Sequence, residues 1–430
     1  MSTPHTPRRW FDVLLGVLPL LLVIAVVGPS WQSERPERTN GCLWDSDTLR
    51  TEAKGLPGVA EIITGRFDRF PPEYYEARLA RVTVRIESGE SVGVVGLVDY
   101  DDAAVACDRL DRGDEAIEWM ARKLAAIEIL ESTEPSAAQS EEITDARYKY
   151  LANLGTFHAH RWLRGGANRE DVADLERARE LIAAAIEVNP DAHFGRERYQ
   201  LLAIDWLLDP PEISGGIQTI FEADPTFAER GSGRWMSPSL LEELGYADAA
   251  EGLSGLIALG NAWESVDIFV SLGEVFDGRD DASLAYLARL RARELVAGGA
   301  STLHPGALEG GDVSRGFDRG HIRNKVEVES WFNSARIEAE GWRAARNQYV
   351  KSKLAQNVHP DTHADFWDDW RSPTRAPSMP NGVLGLRGKN LAIAIVIVLF
   401  GGLVLRAVYP RLRWVLARRK MLQAELASRG

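Results

Sequence analysis

The fold is decided by residues 145–193, which read DARYKYLANLGTFHAHRWLRGGANREDVADLERARELIAAAIEVNPDAH. Apolar and small residues recur in this stretch at intervals of three and four, which is the spacing of an amphipathic helix. They form two stripes: Leu151, Leu154, Gly155, His158 and Trp162, then Leu175, Ala178, Leu181, Ile182, Ala185 and Ile186. A polar, Gly-containing run at 165–172 separates the stripes. The stretch therefore predicts a helical hairpin that ends at Asn189 and Pro190.

The same helical periodicity continues through most of residues 99–358, and no stretch of convincing length alternates with the period of two that a strand requires. We therefore predict an all-α fold of stacked antiparallel helix hairpins. The predicted segments are an apolar segment 1–30, an N-terminal segment 31–98, a repeat domain 99–300, a loop and long C-terminal helix 301–358, a Pro-rich linker 359–388, a second apolar segment 389–410 and a basic tail 411–430.

The two apolar segments predict attachment to a membrane. The core of the first, residues 10–28, is about long enough to cross a bilayer interior of roughly 30 Å. The core of the second, residues 391–405, is extended by Val408 and Tyr409 and is long enough only if the Arg406 side chain reaches the interface. Arg8 and Arg9 precede the first, and six Lys or Arg residues lie at 406–420. Because positive residues favour the cytoplasmic side, both termini are predicted to be cytoplasmic and the central domain extracytoplasmic, either periplasmic or at the cell surface. Cleavage of the first segment as a signal peptide is an open alternative.

The charge distribution argues against nucleic acid as a partner. Residues 29–386 carry 61 acidic residues against 39 basic ones, although the whole chain has a formal charge of only −13. Affinity for nucleic acid comes largely from neutralised phosphates, which a region this acidic does not supply. We predict a membrane protein with a protein or peptide partner.

The hairpin carries residues at repeat positions. Leu154 and Gly155 form a Leu-Gly pair in the first helix, and the second helix has Ala178, Ile182, Ala185 and Pro190 at spacings of 4, 3 and 5. This pattern resembles the tetratricopeptide repeat. Partial matches occur at Ala103, Ala104, Ala116 and Met120, and at Leu272, Gly273, Phe276, Ala285 and Ala292. Lys123, Glu128 and Arg289 depart from the pattern, because a charged residue stands where the repeat has a small residue, a proline or a large apolar residue, respectively.

A narrower resemblance covers about the first half of the chain. Segments 42–49, 63–67, 153–157 and 189–197 look like those of a group of exported bacterial repeat proteins of unassigned function. This resemblance implies no catalytic activity and no ligand.

The tetratricopeptide resemblance implies a stack whose concave face binds a protein or peptide. The first helix of each pair lines that face in the family, so the predicted contact residues are Asn153, Thr156, His160 and Arg164. Two other functions stay open: a metal-dependent hydrolase on a helical scaffold, which would combine His158, His193 and residues 45–47, and a structural spacer in an envelope complex.

Several local patterns suggest catalytic or metal chemistry, but each has a simpler interpretation. Asp45 and Asp47 resemble an aspartyl nucleophile loop, yet Thr48 comes one residue early, and a helix cap is the favoured interpretation. His158 and His160 lie about 200° apart on a helix and cannot share a metal; His158 is predicted to pack and His160 to lie on a neighbouring surface. His359-Pro360-Asp361-Thr362-His363 has zinc-like spacing, but a solvated linker is favoured. We predict no catalytic, cofactor-binding or metal-binding residue.

Two interpretations are open for the two cysteines, Cys42 and Cys107. They could form a disulfide if the domain is outside the cytoplasm, where such bonds persist. Alternatively, Cys107 is a small packed residue, since it occupies the same repeat position as His158 and Phe276.

Overall fold

The computed structural model describes residues 58–190, 196–210, 219–231, 236–279, 281–304 and 325–377, and in these residues it contains α-helices and no strand. The prediction of an all-α fold is confirmed. In chain order the helices are α1 Val59–Thr64, α2 Pro72–Glu87, α3 Leu97–Arg109, α4 Gly113–Glu131, α5 Ala137–Arg164, α6 Ala173–Val188, α7 Arg196–Leu208, α8 Pro225–Gly231, α9 Pro238–Glu243, α10 Ala249–Ala258, α11 Val266–Gly278, α12 Ala282–Ala297 and α13 Lys325–Leu354. Short 3₁₀ turns occupy Val94–Gly96, Ile220–Ala223 and Ala262–Glu264.

The two apolar segments, Cys42, residues 45–48 and His193 lie outside the described residues. Within the part of the chain that is described, every helix is too short or too polar to cross a bilayer. Membrane attachment therefore stays a prediction.

Helices that are neighbours in sequence pack on one another, as expected for stacked hairpins. The hairpin predicted at 145–193 is formed by α5 and α6, which approach closely at Gly155, where a Cβ atom would lie 2.9 Å from the Ile182 side chain. Helix α5 begins earlier than predicted, at Ala137, because Ser136 and Gln139 form a capping box.

The helical periodicity of residues 238–258 predicts one helix, but the structure has two. Ser237 followed by Pro238 is typical of a helix start, and α9 begins there, with Ser237 as its N-cap and Pro238 in its first turn. It ends at Glu243 because Gly245 adopts a left-handed backbone conformation with φ of 81°, and α10 then begins at Ala249.

Helices α3 and α5 lie side by side and parallel. Asp101 contacts Asn153 and Asp108 contacts His160, and both pairs are separated by 52 positions. Helix α7 follows α3 and α5 in the same row of helices. Its Gln200 donates a hydrogen bond to Thr156 of α5 at 2.9 Å. Helices α4 and α6 form the outer row, each antiparallel to the helix before it.

Helix α13 contacts both ends of the array. It packs against α2, which precedes the first hairpin, and against α12, which completes the last one. The short helix α1 lies at the same place and contacts α10, α12 and α13. The array is therefore closed by a 30-residue helix rather than open at both ends.

The prediction that a linker begins at residue 359 is wrong for its first part. Phe366 is buried and packs edge-on against Tyr349 of α13. His359 is also buried and stacks on Tyr74 of α2, with ring centroids 4.9 Å apart. The predicted linker misses these contacts because aromatic residues between prolines carry no periodic signal.

Candidate functional site

The predicted contact residues lie where α5 meets α3. Asn153 is 0% exposed, Thr156 2% and His160 9%, whereas Arg164 is partly exposed at the end of the helix. The prediction that all four line an open surface is wrong for the first three. Asn153 and His160 bond to Asp101 and Asp108 of α3, whereas Thr156 accepts a hydrogen bond from Gln200 of α7. Neighbouring helices therefore cover these three side chains, which join α5 to α3 and α7.

One set of contacts centres on Asp101 of α3. Lys123 of α4 donates to both of its carboxylate oxygens, at 2.7 and 2.6 Å, and Asn153 donates to one of them at 2.9 Å. Asp101 and Lys123 are both buried. Burial raises the pKa of Asp101 and lowers the pKa of Lys123, while each opposes the other's shift by its charge. Both residues therefore stay charged in the interior only because they contact each other, since either one alone would be a buried, uncompensated charge.

A second set lies two helical turns further along and centres on Asp108. His160 Nδ1 lies 3.0 Å from its carboxylate, and Arg164 donates to it at 2.7 Å. Burial alone would raise the pKa of Asp108, but the charges and hydrogen bonds of His160 and Arg164 lower it to about 2. Asp108 is thus a carboxylate at neutral pH, and Arg164 is fixed by it at the edge of the interface.

Lys123, which departs from the repeat pattern in the sequence, lies in this interface. It occupies a position where the repeat is apolar, and it is fully buried. Arg289 departs from the pattern at a different position, four residues after Ala285 in α12, and is also buried, bonded to Glu274 at 2.7 Å and to Asp277 in α11. In both hairpins, an acidic residue of the first helix neutralises the cation of the second.

Comparison of the chain with protein-family models, curated proteins and solved structures found no match. The tetratricopeptide resemblance and the narrower one to exported repeat proteins therefore stay predictions.

The motif at 359–363 forms an ion-pair site instead of a solvated linker. Asp361 is bonded to Arg78 and Arg81 of α2 at 2.8 Å each, and the Asp361 amide donates to His359 Nδ1 at 3.1 Å. Within the described ranges, no group of three His, Cys, Asp or Glu side chains is arranged to hold a metal ion.

His158 does not fill an aromatic packing position. Its Nδ1 lies 2.8 Å from Asp174 of α6, which also accepts from Arg161 at 2.8 Å. These contacts fix the α5–α6 hairpin. The hydrolase alternative also required His193 and residues 45–47, which lie outside the described residues.

Cys107 of α3 is buried and forms no disulfide with any described residue. Burial, with a smaller effect of Glu115, raises its pKa to about 12, so it stays protonated at neutral pH. Its pairing with Cys42 stays a prediction because Cys42 is outside the described residues.

The turn between α5 and α6 is longer than that of the repeat, yet it is well fixed. Trp162 Nε1 lies 3.0 Å from the carbonyl oxygens of both Asn168 and Asp171. Arg169 donates to the carbonyls of Leu207 and Leu303 at 2.6 and 2.5 Å. Beside this turn, Leu163 is 39% exposed although it is a large apolar residue. The accessible part of the site is therefore the end of α5 and the turn after it.

A cavity of about 180 Å³ lies elsewhere, between α1, α13 and residues 376–377. Its lining is largely apolar, and the ion pair of Arg66 and Glu338 lies in its wall. It is not part of the α3–α5 interface.

Proposed function

We propose that the chain is a membrane-anchored, extracytoplasmic protein of tetratricopeptide-like helix hairpins, and that it serves as a scaffold for a protein or peptide partner. The partner contacts the end of α5 and the following turn, through Leu163, Arg164 and residues 165–172. This surface replaces the buried positions 153, 156 and 160 of the original prediction.

The observation that carries the proposal is the fixed turn with an exposed apolar residue beside it. A surface that is already ordered loses little conformational entropy on binding. The turn is held at both sides by Trp162 and Arg169, and Arg164 is oriented by Asp108 at 2.7 Å. Arginine is among the residues that contribute most to protein interfaces, and the exposed Leu163 adds apolar area beside it.

The stacking of the hairpins gives further support. Each helix packs mainly on its neighbours in sequence, which is how repeat proteins present extended surfaces to other proteins. The acidic composition of the central region adds solubility but identifies no partner.

The test is crosslinking in intact cells, followed by purification of the full-length chain through a C-terminal tag. Leu163→Asp places a charge in the proposed contact surface and is expected to remove the crosslinked partner. Ile129→Asp is the matched control, because Ile129 is an exposed apolar residue of α4, 65% exposed, away from that turn.

The I129D chain should retain the partner at the wild-type level. If L163D and I129D chains retain the same crosslinked proteins, the proposed surface is wrong. If the wild-type chain crosslinks to no protein, the scaffold proposal is wrong.

A further inference from the structure

Six arginines lie close together where α13 meets α1 and α12. Arg69, Arg291 and Arg336 surround Trp263, and Arg66 and Arg346 lie against Trp342. Arg343 lies one helical turn before Arg346, which pairs with Asp68 beside Arg69, and the charge of Arg343 lowers the pKa of Arg69. We call these six residues the arginine cluster. Such a concentration of positive charge is unexpected in a region that is strongly acidic overall.

Trp263 organises half of the cluster. The guanidinium carbons of Arg291, Arg69 and Arg336 lie 3.9, 4.4 and 5.3 Å from the centroid of its ring system. Cation–π contacts at these distances are attractive, but they do not neutralise charge. Three guanidiniums around one indole therefore repel one another unless anions are present.

Carboxylates neutralise four of the six arginines. Arg66 pairs with Glu338, and Arg346 pairs with Asp68 at 2.7 Å. The remaining pairs join Arg291 to Glu294 at 2.9 Å and Arg336 to Glu294 and Glu340 at 2.9 and 2.8 Å.

The other two arginines have no carboxylate within ion-pair distance among the described residues. Arg69 donates to the carbonyl of Gly65 at 3.2 Å, and its buried Nε has no hydrogen-bond partner. Arg343 is half-buried. Burial, then the charges of Arg343, Arg291 and Arg336, lower the pKa of Arg69 to about 9, so it stays charged at neutral pH.

We propose that Arg69 and Arg343 bind a phosphate group beside Trp263. Glu264 is near enough for its charge to raise the pKa of Arg69 but forms no ion pair with it. Two arginines without an ion-pair partner match a group that carries about −1.5 to −2 at neutral pH. Guanidinium forks donate two parallel hydrogen bonds to phosphate oxygens, and the stacked indole holds the Arg69 fork in a fixed plane. This site is separate from the partner surface at the end of α5.

The phosphate can come from a free inorganic ion or from a phosphate ester. The test is isothermal titration of the purified full-length chain, in one arm with inorganic phosphate and in the other with glycerophosphate. Sodium chloride keeps the ionic strength equal, because general screening would otherwise change the signal. Saturable binding is expected in at least one arm, and the tighter arm identifies the source.

Arg343→Gln is the decisive variant, because Arg343 has no ion pair or hydrogen bond within the described ranges that the substitution would remove. It is expected to weaken phosphate binding by about tenfold or more, which is the effect of losing charge-assisted hydrogen bonds. Arg69→Gln should do the same. Arg122→Gln is the matched control, since Arg122 also stacks on a tryptophan, Trp119, at 3.9 Å but lies outside the cluster.

The R122Q chain should bind as the wild type does. The proposal is overturned if neither ligand binds saturably, or if R343Q chains bind with wild-type affinity. Should R69Q fail to fold, R343Q and R122Q still decide the outcome.

Discussion

Asp361 accepts two hydrogen bonds from the guanidinium of Arg78, which lies 283 positions earlier in the chain, at 2.8 and 2.9 Å. Arg78 is fully buried in α2, and Arg81 adds a further contact to the same carboxylate. This bidentate pair fastens the segment after α13 to the start of the array.

We expect Asp361→Ala to destabilise the chain by roughly 3 to 5 kcal/mol, because it leaves the Arg78 charge buried with its main partner removed. Urea unfolding measures the loss, and limited proteolysis near residue 361 should become faster. Asp365→Ala is the control, since Asp365 is exposed and should change stability by less than about 0.5 kcal/mol. Equal stability of the D361A and D365A chains would contradict this role.

The pair of Asp101 and Lys123 gives a second prediction. Lys123→Met should cost roughly 3 to 5 kcal/mol, because a buried carboxylate loses its cation. Adding Asp101→Asn removes that charge while keeping an acceptor for Asn153, so the double variant should be more stable than K123M by at least about 1 kcal/mol. Arg177→Ala, which breaks an exposed pair with Glu180, should have almost no effect. A double variant less stable than K123M would refute the account.

Asp108 gives a prediction for pH dependence. Its folded-state pKa of about 2 lies below that of an unfolded aspartate, about 3.9, so its stabilising effect is full above about pH 4 and is lost as the pH falls towards 2. Asp108→Asn should therefore cost about 2 to 3 kcal/mol at pH 7, and the difference from wild type should shrink below pH 4. Urea titrations at pH 7, 5, 4 and 3 measure this difference. A difference that stays constant down to pH 3 would mean that the carboxylate charge is not the cause.

Two helical glycines should respond in opposite directions to alanine. At Gly252 a Cβ atom would lie 2.2 Å from the Tyr199 ring of α7, so Gly252→Ala should cost roughly 1 to 3 kcal/mol through overpacking. At Gly341 in α13 nothing lies within 4 Å, and Gly341→Ala should stabilise by roughly 0.5 to 1 kcal/mol through higher helix propensity. Thermal unfolding of the two variants checks the sign. Stabilisation by G252A would show that α7 and α10 are less tightly packed than described.

Local features of the fold were predictable from the sequence. The apolar spacing predicts the α5–α6 hairpin, and Ser237 with Pro238 predicts the start of α9. In both cases the residues that carry the pattern belong to, or directly precede, the helix that they predict. The break at Gly245 was missed because a glycine in a helical pattern does not by itself reveal a left-handed conformation.

The burial of Asn153 could not be predicted from its own helix. Whether a polar residue faces solvent or a neighbour depends on the next helix of the row, in this case α3. One signal was available: Asp101 and Asp108 are seven positions apart, as are Asn153 and His160, so the two pairs match if the helices are parallel. The Arg78 and Asp361 contact has no comparable signal, since nothing in the intervening sequence fixes its register.

The contacts of α13 with α12 and α2 limit how the number of hairpins in this protein can change during evolution. An open array of repeats can gain or lose a hairpin by duplication or deletion, because only the neighbouring units must adjust. Here one 30-residue helix, about 45 Å long, spans from α12 to α2 and has a fixed length. A duplicated hairpin would separate the surfaces that this helix joins, so the number of hairpins is constrained by the reach of α13.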